Sequence, residues 1–334
     1  MSTKSIKSSK SVLTGLQPSG ALHLGNYFGS ILPNLELAKK YDKTIIFIAD
    51  LHALNSIQDK KLLKEYTLDL ATSLLACGLN PDKILMFKQS DVPAHSELSW
   101  ILSTLTPMGL LERSHAYKDK KAKGQDATAG LFGYPVLMSA DILLYNPDFV
   151  PVGKDQKQHV EITRDLANKF NNIYGGSALH APEPVISEEV GVVPGIDGAK
   201  MSKSYNNTIP LFGNLKEIKK RVMQIVTDSK GVEEIKDPET CNIFALAKLY
   251  LSKTELEDLR KKYETGGENG IGYGDAKKLL FSAIEKYMTP MWKKYEELKQ
   301  NPEYVLEVLE KSAQTANNIA NRQLEKIKKR VGLL

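Results

Sequence analysis

Val12-Leu13-Thr14-Gly15-Leu16-Gln17-Pro18-Ser19-Gly20, followed at once by His23-Leu24-Gly25-Asn26, decides the fold. Val12–Gly15 reads as a short buried strand, and Gln17–Gly20 as a turn carrying proline and glycine. A helix follows from about His23, with Tyr27, Ile31, Leu35 and Ala38 near helical spacing and Pro33 expected to bend it. Strand, glycine-bearing turn and helix together set a phosphate against free N–H groups at a helix start. Gly25 lets a ligand or backbone approach closely, because a Cβ there would obstruct it.

The next segments extend the same pattern. Thr44–Ala49 is a continuous apolar run of strand length, as in a parallel sheet covered on both faces, and it ends at Asp50-Leu51-His52. Such carboxyl edges are where open α/β sheets bind ligands. Residues 59–78 form an amphipathic helix, and Lys83–Phe87 gives another strand. Strand–helix alternation predicts an α/β fold, a Rossmann-like doubly wound parallel sheet. From Ala94 to Tyr145 the pattern turns helical, as an insertion would. Phe149–Val152 is again strand-like, and a helix is expected over 156–174.

Within the apolar segment Gly133–Tyr145, Asp141 stands out. A carboxylate there must be paired, hydrogen-bonded or used. Met138 and Tyr134 lie one and two turns before it. Val150 and Val152 alternate and could wall an aromatic pocket. Gly195 and Gly198 surround Ile196-Asp197 and lead into Lys200-Met201-Ser202-Lys203-Ser204, a loop expected to move and bring two ammonium groups to a polyphosphate. Beyond Pro210 strand signals fade, and helices are predicted at 214–227, 241–251, 253–264, 274–298 and 302–330. Ser252 and Glu255 have capping-box spacing.

Composition sets the bounds. The 334 residues suit two domains, and 42% hydrophobic with 25% charged residues is ordinary for a globular protein with a sizeable core. No run approaches the roughly 18 apolar residues of a membrane span. The two cysteines, Cys77 and Cys241, lack metal-site spacing and point to a reducing compartment. A net charge of +5 permits an anionic partner without requiring one. Residues 1–11, rich in serine and lysine, read as a disordered tail. The domain expectation is therefore a catalytic domain over 12–208, with its insertion at about 94–145, and a helical domain over 209–334.

The two motifs His23–Asn26 and Lys200–Ser204, in this order, resemble the ATP-binding motifs of class I aminoacyl-tRNA synthetases. Gly133–Tyr145 and Val150-Pro151-Val152-Gly153-Lys154-Asp155-Gln156-Lys157-Gln158-His159 narrow the resemblance to the bacterial-type tryptophan-specific members. That resemblance implies ligation of L-tryptophan to tRNA(Trp) in two steps, with ATP and Mg²⁺ as the substrate complex and no tightly bound metal or organic cofactor. It implies catalytic roles for Lys200, Lys203, His23, Asn26 and Lys120. ATP would be held by Gln17, Pro18, Ser19, Gly25, Asn26, Gly153, Lys154, Asp155, Val193, Lys200, Met201, Ser202, Lys203 and Ser204. Tryptophan would meet Asp141, Met138, Tyr134, Gln156, Val150, Val152, His52 and Leu13. Asp141 would accept from the indole N–H, the only donor of that ring. The resemblance further implies a cytoplasmic homodimer, joined through the insertion, with the helical domain binding the tRNA anticodon region. Ser114–Tyr117 depart from the Met-Thr-Gln-Phe common in bacterial relatives. A tyrosine-specific relative, a non-catalytic tryptophan- or RNA-binding paralogue and a small cytidylyltransferase are the rival readings; the pocket residues and the complete lysine-serine loop weigh against them.

Overall fold

The computed structural model describes residues 8–124, 126–153, 156–186 and 193–334. Five strands form one sheet in the order β3-β2-β1-β4-β5. They are β1 (Ser8–Leu16), β2 (Tyr41–Ile48), β3 (Ile84–Lys88), β4 (Phe149–Val152) and β5 (Glu183–Ile186). Every neighbouring pair is parallel, with Val12 to Leu16 of β1 opposite Thr44 to Ile48 of β2. The order reverses direction between β1 and β4, so the switch point of the sheet lies at the end of the opening strand. The doubly wound parallel fold expected from the sequence is present.

The helices follow the predicted segments. The chain leaves the first turn through α1 (Leu24–Asn26), passes a π turn at Tyr27–Ile31 and continues as α2 (Leu32–Lys40). The widened turn immediately precedes Pro33, where the missing N–H would interrupt a regular ladder. Two helices cover the next crossover, α3 (Asp50–Ala53) and α4 (Lys60–Ala76). Asp59 caps α4, accepting from Lys61 and Leu62 N–H at 2.7 and 3.1 Å. Between β3 and β4 lie α5 (Ala94–Ser103), α6 (Met108–Glu112), α7 (His115–Ala122) and α8 (Ala129–Leu143), and α9 (Lys157–Tyr174) follows β4. The later helices are α10 (Leu215–Met223), α11 (Asn242–Ala247), α12 (Lys253–Thr265), α13 (Tyr273–Gln300) and α14 (Pro302–Val331). The expected capping box opens α12: Glu255 N–H donates to Ser252 Oγ at 3.3 Å, and Ser252 N–H to Glu255 Oε2 at 2.8 Å.

Two compact units divide the chain. The first takes Met1–Gly20, Asn34–Glu188 and Asn301–Leu334, and the second Ala21–Pro33 and Glu189–Gln300. The sequence boundary at 209 does not coincide with them. Helix α14 belongs to the sheet unit, because its face at Val305, Leu309, Ala313, Ala316, Ala320, Leu324 and Ile327 is buried. Ala313 to Ile327 share a core cluster with Phe47, Phe87, Leu98 and Phe170. Polar clasps reinforce that seat: Gln323 Nε2 donates to Ala178 O at 2.6 Å, and Lys328 pairs with Glu97 at 2.7 Å. Much of the basic end of α14 is thus engaged within its own unit. In the second unit, α10 and α11 pack on α13 around Ile218, Phe244, Leu280 and Ile284.

Strand β1 starts at Ser8, inside the segment expected to be a disordered tail. Ser8 pairs with Tyr41, and Ser11 donates from both N–H and Oγ to Asp148 Oδ2 at 2.7 and 2.9 Å. A serine-lysine stretch has no apolar period, so its pairing is set by the partner strand rather than by its own composition. Residues 1–7 lie outside the described residues.

Candidate functional site

In the first unit, candidate residues gather at the carboxyl edge of the sheet. Asp141 on α8 is wholly buried. Its Oδ1 accepts from Gln89 Nε2 at 2.7 Å and from His95 Nδ1 at 2.6 Å; its Oδ2 accepts from His52 Nε2 at 2.8 Å. Burial alone would push this carboxyl upward, but the hydrogen bonds that His52 and His95 donate to it hold it at about 2. The group is therefore an ionised acceptor at neutral pH, and both rings must donate to it. His52 follows β2 and Gln89 follows β3, so adjacent strand ends deliver two of the donors. Asp50 and Ser90 bind each other at the same level, through Ser90 N–H to Oδ1 at 2.9 Å and through its hydroxyl to Oδ2.

Other candidates line the same unit. The Tyr134 hydroxyl meets His159 Nε2 at 2.8 Å, and the Tyr134 ring stands edge-on to His52 with centroids 6.3 Å apart. Burial pushes the Tyr134 hydroxyl up to about 12, so it stays protonated. Leu13 and Val150 are buried on β1 and β4, while Met138 and Val152 are partly buried against the same core. Gln156 caps α9, and its N–H reaches Gly153 O at 3.0 Å. Gln17, with Pro18 and Ser19 in the turn after β1, sends its Nε2 to Ser56 Oγ at 3.3 Å. Lys120 sits half-exposed in the last turn of α7; among the described residues no hydrogen bond or ion pair ties it to the Asp141 group. Lys154 and Asp155 lie outside the described residues.

The second unit brings together the two motifs that the sequence separates. Leu24 N–H donates to Ile209 O at 3.0 Å and Leu211 N–H to Leu22 O at 2.9 Å, which fastens the helix start to the segment leaving the lysine-serine loop. Gly25 N–H points at Met201 Sδ, 3.2 Å away. A Cβ on Gly25 would come within 2.9 Å of His23 Nδ1 and 3.1 Å of Met201 Cβ, so glycine is required by this close approach. Asn26 Oδ1 accepts from His23 N–H at 3.0 Å, which leaves the amide NH₂ end of Asn26 as its donor. His23 is buried, and among the described residues its Nδ1 has no hydrogen-bond partner. Burial first, then the nearby Lys203 charge, lowers its pKa to about 4, so the ring is neutral at pH 7.

The loop itself is a short hairpin. Pro194 bridges to Lys200, and Met201 N–H donates to Val193 O at 2.9 Å. Val193 and Met201 are buried, whereas Lys200, Lys203 and Ser204 are exposed. Ser202 and Ser204 share a hydroxyl contact at 2.8 Å. Asn207, buried and absent from the sequence reading, organises the turn. Its Oδ1 accepts from Ser202 N–H at 2.7 Å, and its Nδ2 donates to Asp197 Oδ1 at 2.8 Å and Lys200 O at 3.0 Å. A Cβ at Gly195 would fall 2.4 Å from the Asn207 amide, and Gly198 turns the chain at φ +83°. These two glycines, expected as points of mobility, serve close packing and a left-handed turn here.

Gln89, His95 and Tyr145 also escaped the sequence reading. One signal was present: Gln89 directly follows a predicted strand, at the same edge as Asp50 and His52. Among the described residues no group of three or more His, Cys, Asp or Glu side chains is placed to hold a metal ion, nor is any described helix long and apolar enough to cross a membrane.

Residues 4–289 match the family model of class I tRNA synthetases (W and Y). Tryptophan–tRNA ligase of Campylobacter jejuni is 50% identical over 322 residues, covering 96% of this chain and 99% of the relative. The Fusobacterium nucleatum ligase is 48% identical over 325 residues, covering 97% and 98%. Tryptophanyl-tRNA synthetase from Campylobacter jejuni, solved in complex with ADP and tryptophan, superposes with a TM-score of 0.90 at 49% identity, covering 96% of this chain and 99% of that one. The chain belongs to the class I tRNA synthetases of the tryptophan and tyrosine group and is an enzyme of its tryptophan–tRNA ligase branch.

Proposed function

We propose that the first unit selects tryptophan through Asp141 and that the second handles the phosphates of ATP through His23, Asn26, Lys200 and Lys203. Selection is carried by one observation: an ionised carboxylate, wholly buried, at the carboxyl edge of the sheet. A ring presenting a single N–H satisfies such an acceptor, and a ring without that donor leaves it short. Tyr134, Met138, Val150, Val152, Leu13, His52 and Gln156 complete the amino-acid side of the pocket, with Gln156 on the ammonium or carboxylate. Gln17, Pro18, Ser19, Gly153, Lys154, Asp155 and Val193 would serve the nucleotide, and Lys120 would add a charge.

The chemistry balances without a covalent nucleophile. A tryptophan carboxylate oxygen attacks the α-phosphorus of ATP·Mg²⁺, the bond to the β-phosphate oxygen breaks, and pyrophosphate leaves. A terminal ribose hydroxyl of tRNA(Trp) then attacks the carbonyl carbon, loses its proton, and AMP leaves. The neutral His23 ring and the Asn26 amide donate without adding charge, while the exposed ammonium groups of Lys200 and Lys203 stabilise the charge that builds on the departing pyrophosphate. Met201 against Gly25 N–H supports this division, since the loop already rests on the helix start. An unpartnered His23 Nδ1 and a site that tolerates no Cβ fit a phosphate arriving there.

In this reading helices α10 to α13 meet the tRNA. The exposed Trp100 (73%) and Met108 (64%) of the insertion support a homodimer, working in the cytoplasm. Amino-acid-dependent ATP–pyrophosphate exchange tests the assignment: exchange with tryptophan alone is expected, and exchange driven by tyrosine would overturn the Asp141 reading.

A further inference from the structure

The three donors around Asp141 are not equivalent. A carboxylate oxygen offers two lone-pair directions. Oδ1 already receives two donors, Gln89 Nε2 at 2.7 Å and His95 Nδ1 at 2.6 Å. Oδ2 receives one, His52 Nε2 at 2.8 Å. The two donors on Oδ1 are themselves fixed. Gln89 is wholly buried, and its Oε1 accepts from Leu51 N–H at 3.2 Å. His95 is wholly buried, its Nε2 meets the Tyr145 hydroxyl at 2.9 Å, and its ring lies 5.9 and 6.2 Å from those of Phe47 and Phe87. His52 differs, because 14% of its side chain is exposed. It is the one donor with a route to solvent, and Oδ2, which receives that donor alone, is the oxygen with a lone pair left open.

Asp141 and Tyr145, one on each ring nitrogen, together fix where the neutral His95 ring carries its proton. Nδ1–H must face the carboxylate, which leaves Nε2 bare in the neutral ring, and the Tyr145 O–H donates to it. Burial and the Asp141 charge push the Tyr145 pKa far up, so that proton is retained.

We propose that Gln89, His95 and, acting through His95, Tyr145 are positioning residues that close Oδ1 and present Asp141 as a one-oxygen reader, whose Oδ2 takes a single indole N–H. The proposal rests on the reading of Asp141 as the tryptophan acceptor. With Oδ1 closed, the carboxylate cannot turn about its terminal torsion, and its remaining lone pair keeps one aim. Opening Oδ1 frees that rotation and weakens recognition of the N–H while leaving the apolar walls intact.

The test uses the full chain in ATP–pyrophosphate exchange, with tryptophan and its benzothiophene isostere, in which sulfur replaces the N–H. His95→Phe is expected to lower the preference for tryptophan by roughly 10-fold or more, through the KM for tryptophan, with kcat and the isostere's KM nearly unchanged. His95→Asn, whose NH₂ takes the place of Nδ1–H, should restore most of the preference, and Gln89→Leu and Tyr145→Phe should each reduce it. Equal losses for both amino acids, or an unchanged preference, would overturn the proposal. Asp141→Asn separates the two ideas. If it leaves the preference intact, the acceptor reading itself fails; if it collapses the preference while His95→Phe does not, only the positioning role fails. Should thermal melting show His95→Phe to be unfolded, Tyr145→Phe and His95→Asn decide by the same ratio.

Discussion

The Asp141 cluster and the lysine-serine loop solve opposite electrostatic problems. Around Asp141 a charge is stripped of water and held by three side chains, two on Oδ1 and one on Oδ2, before any ligand arrives. In the loop, Lys200 and Lys203 remain exposed, and the buried polar side chain is the neutral Asn207 that shapes the backbone. The contrast follows from the ligands. An indole brings one weak donor, so its acceptor must be dry and aimed to discriminate. A polyphosphate brings several charges, so hydrated cations on a shaped loop suffice, and burying them would incur a desolvation penalty.

Removing one charge from the exposed loop should have the largest catalytic effect and the smallest effect on amino-acid binding. Lys203→Ala is expected to slow adenylate formation by roughly 10² to 10³-fold, with tryptophan affinity by calorimetry nearly unchanged. A parallel loss of affinity would erase the distinction between the regions. Asp141→Ala is the converse change: two buried donors, Gln89 and His95, and the partly exposed His52 lose their acceptor, and a stability loss of about 3–5 kcal/mol is expected, read from denaturant midpoints together with a raised KM for tryptophan. Asn207→Ala should lower exchange by roughly 10-fold, because a misplaced loop forfeits positioning rather than charge, and tryptophan binding should again hold steady.

Acid sharpens the comparison with the smallest effects. The Asp141 pKa falls from 3.8 to about 2 on folding, so its contribution is complete above 3.8 and lost as pH drops toward 2. His23 falls from 6.5 to about 4, so its contribution is complete above 6.5 and lost as pH drops toward 4. Denaturant midpoints should therefore decline first between pH 6.5 and 4, and His23→Asn should flatten that stretch while leaving the lower one.

Local signals carried much of the fold. The apolar run at Thr44–Ala49 was readable from its continuity and strand length, and the helices because their apolar positions recur every 3.6 residues. Asp141 was also readable, as an acid among apolar neighbours. His52 was readable at the same sheet edge, but Gln89 and His95 were not: they come from other segments, and only the fold brings them to Asp141. Asn207 was obscured for a related reason. An asparagine after Ser204-Tyr205-Asn206 looks like any turn residue until Gly195 is seen to make room for it. The seat of α14 follows the same logic, since an amphipathic helix declares that it has an apolar face without naming what will cover it.

That seat has a consequence for how the protein is made. A ribosome releases β2 and β3 early, yet the core that contains Phe47 and Phe87 is closed in part by Ala313, Ala316, Ala320 and Ile327. At ordinary elongation speeds the nascent sheet waits roughly ten seconds or more for the helix that finishes it. The first unit therefore cannot complete its core until its last helix is made, after the whole of the second unit has been synthesised.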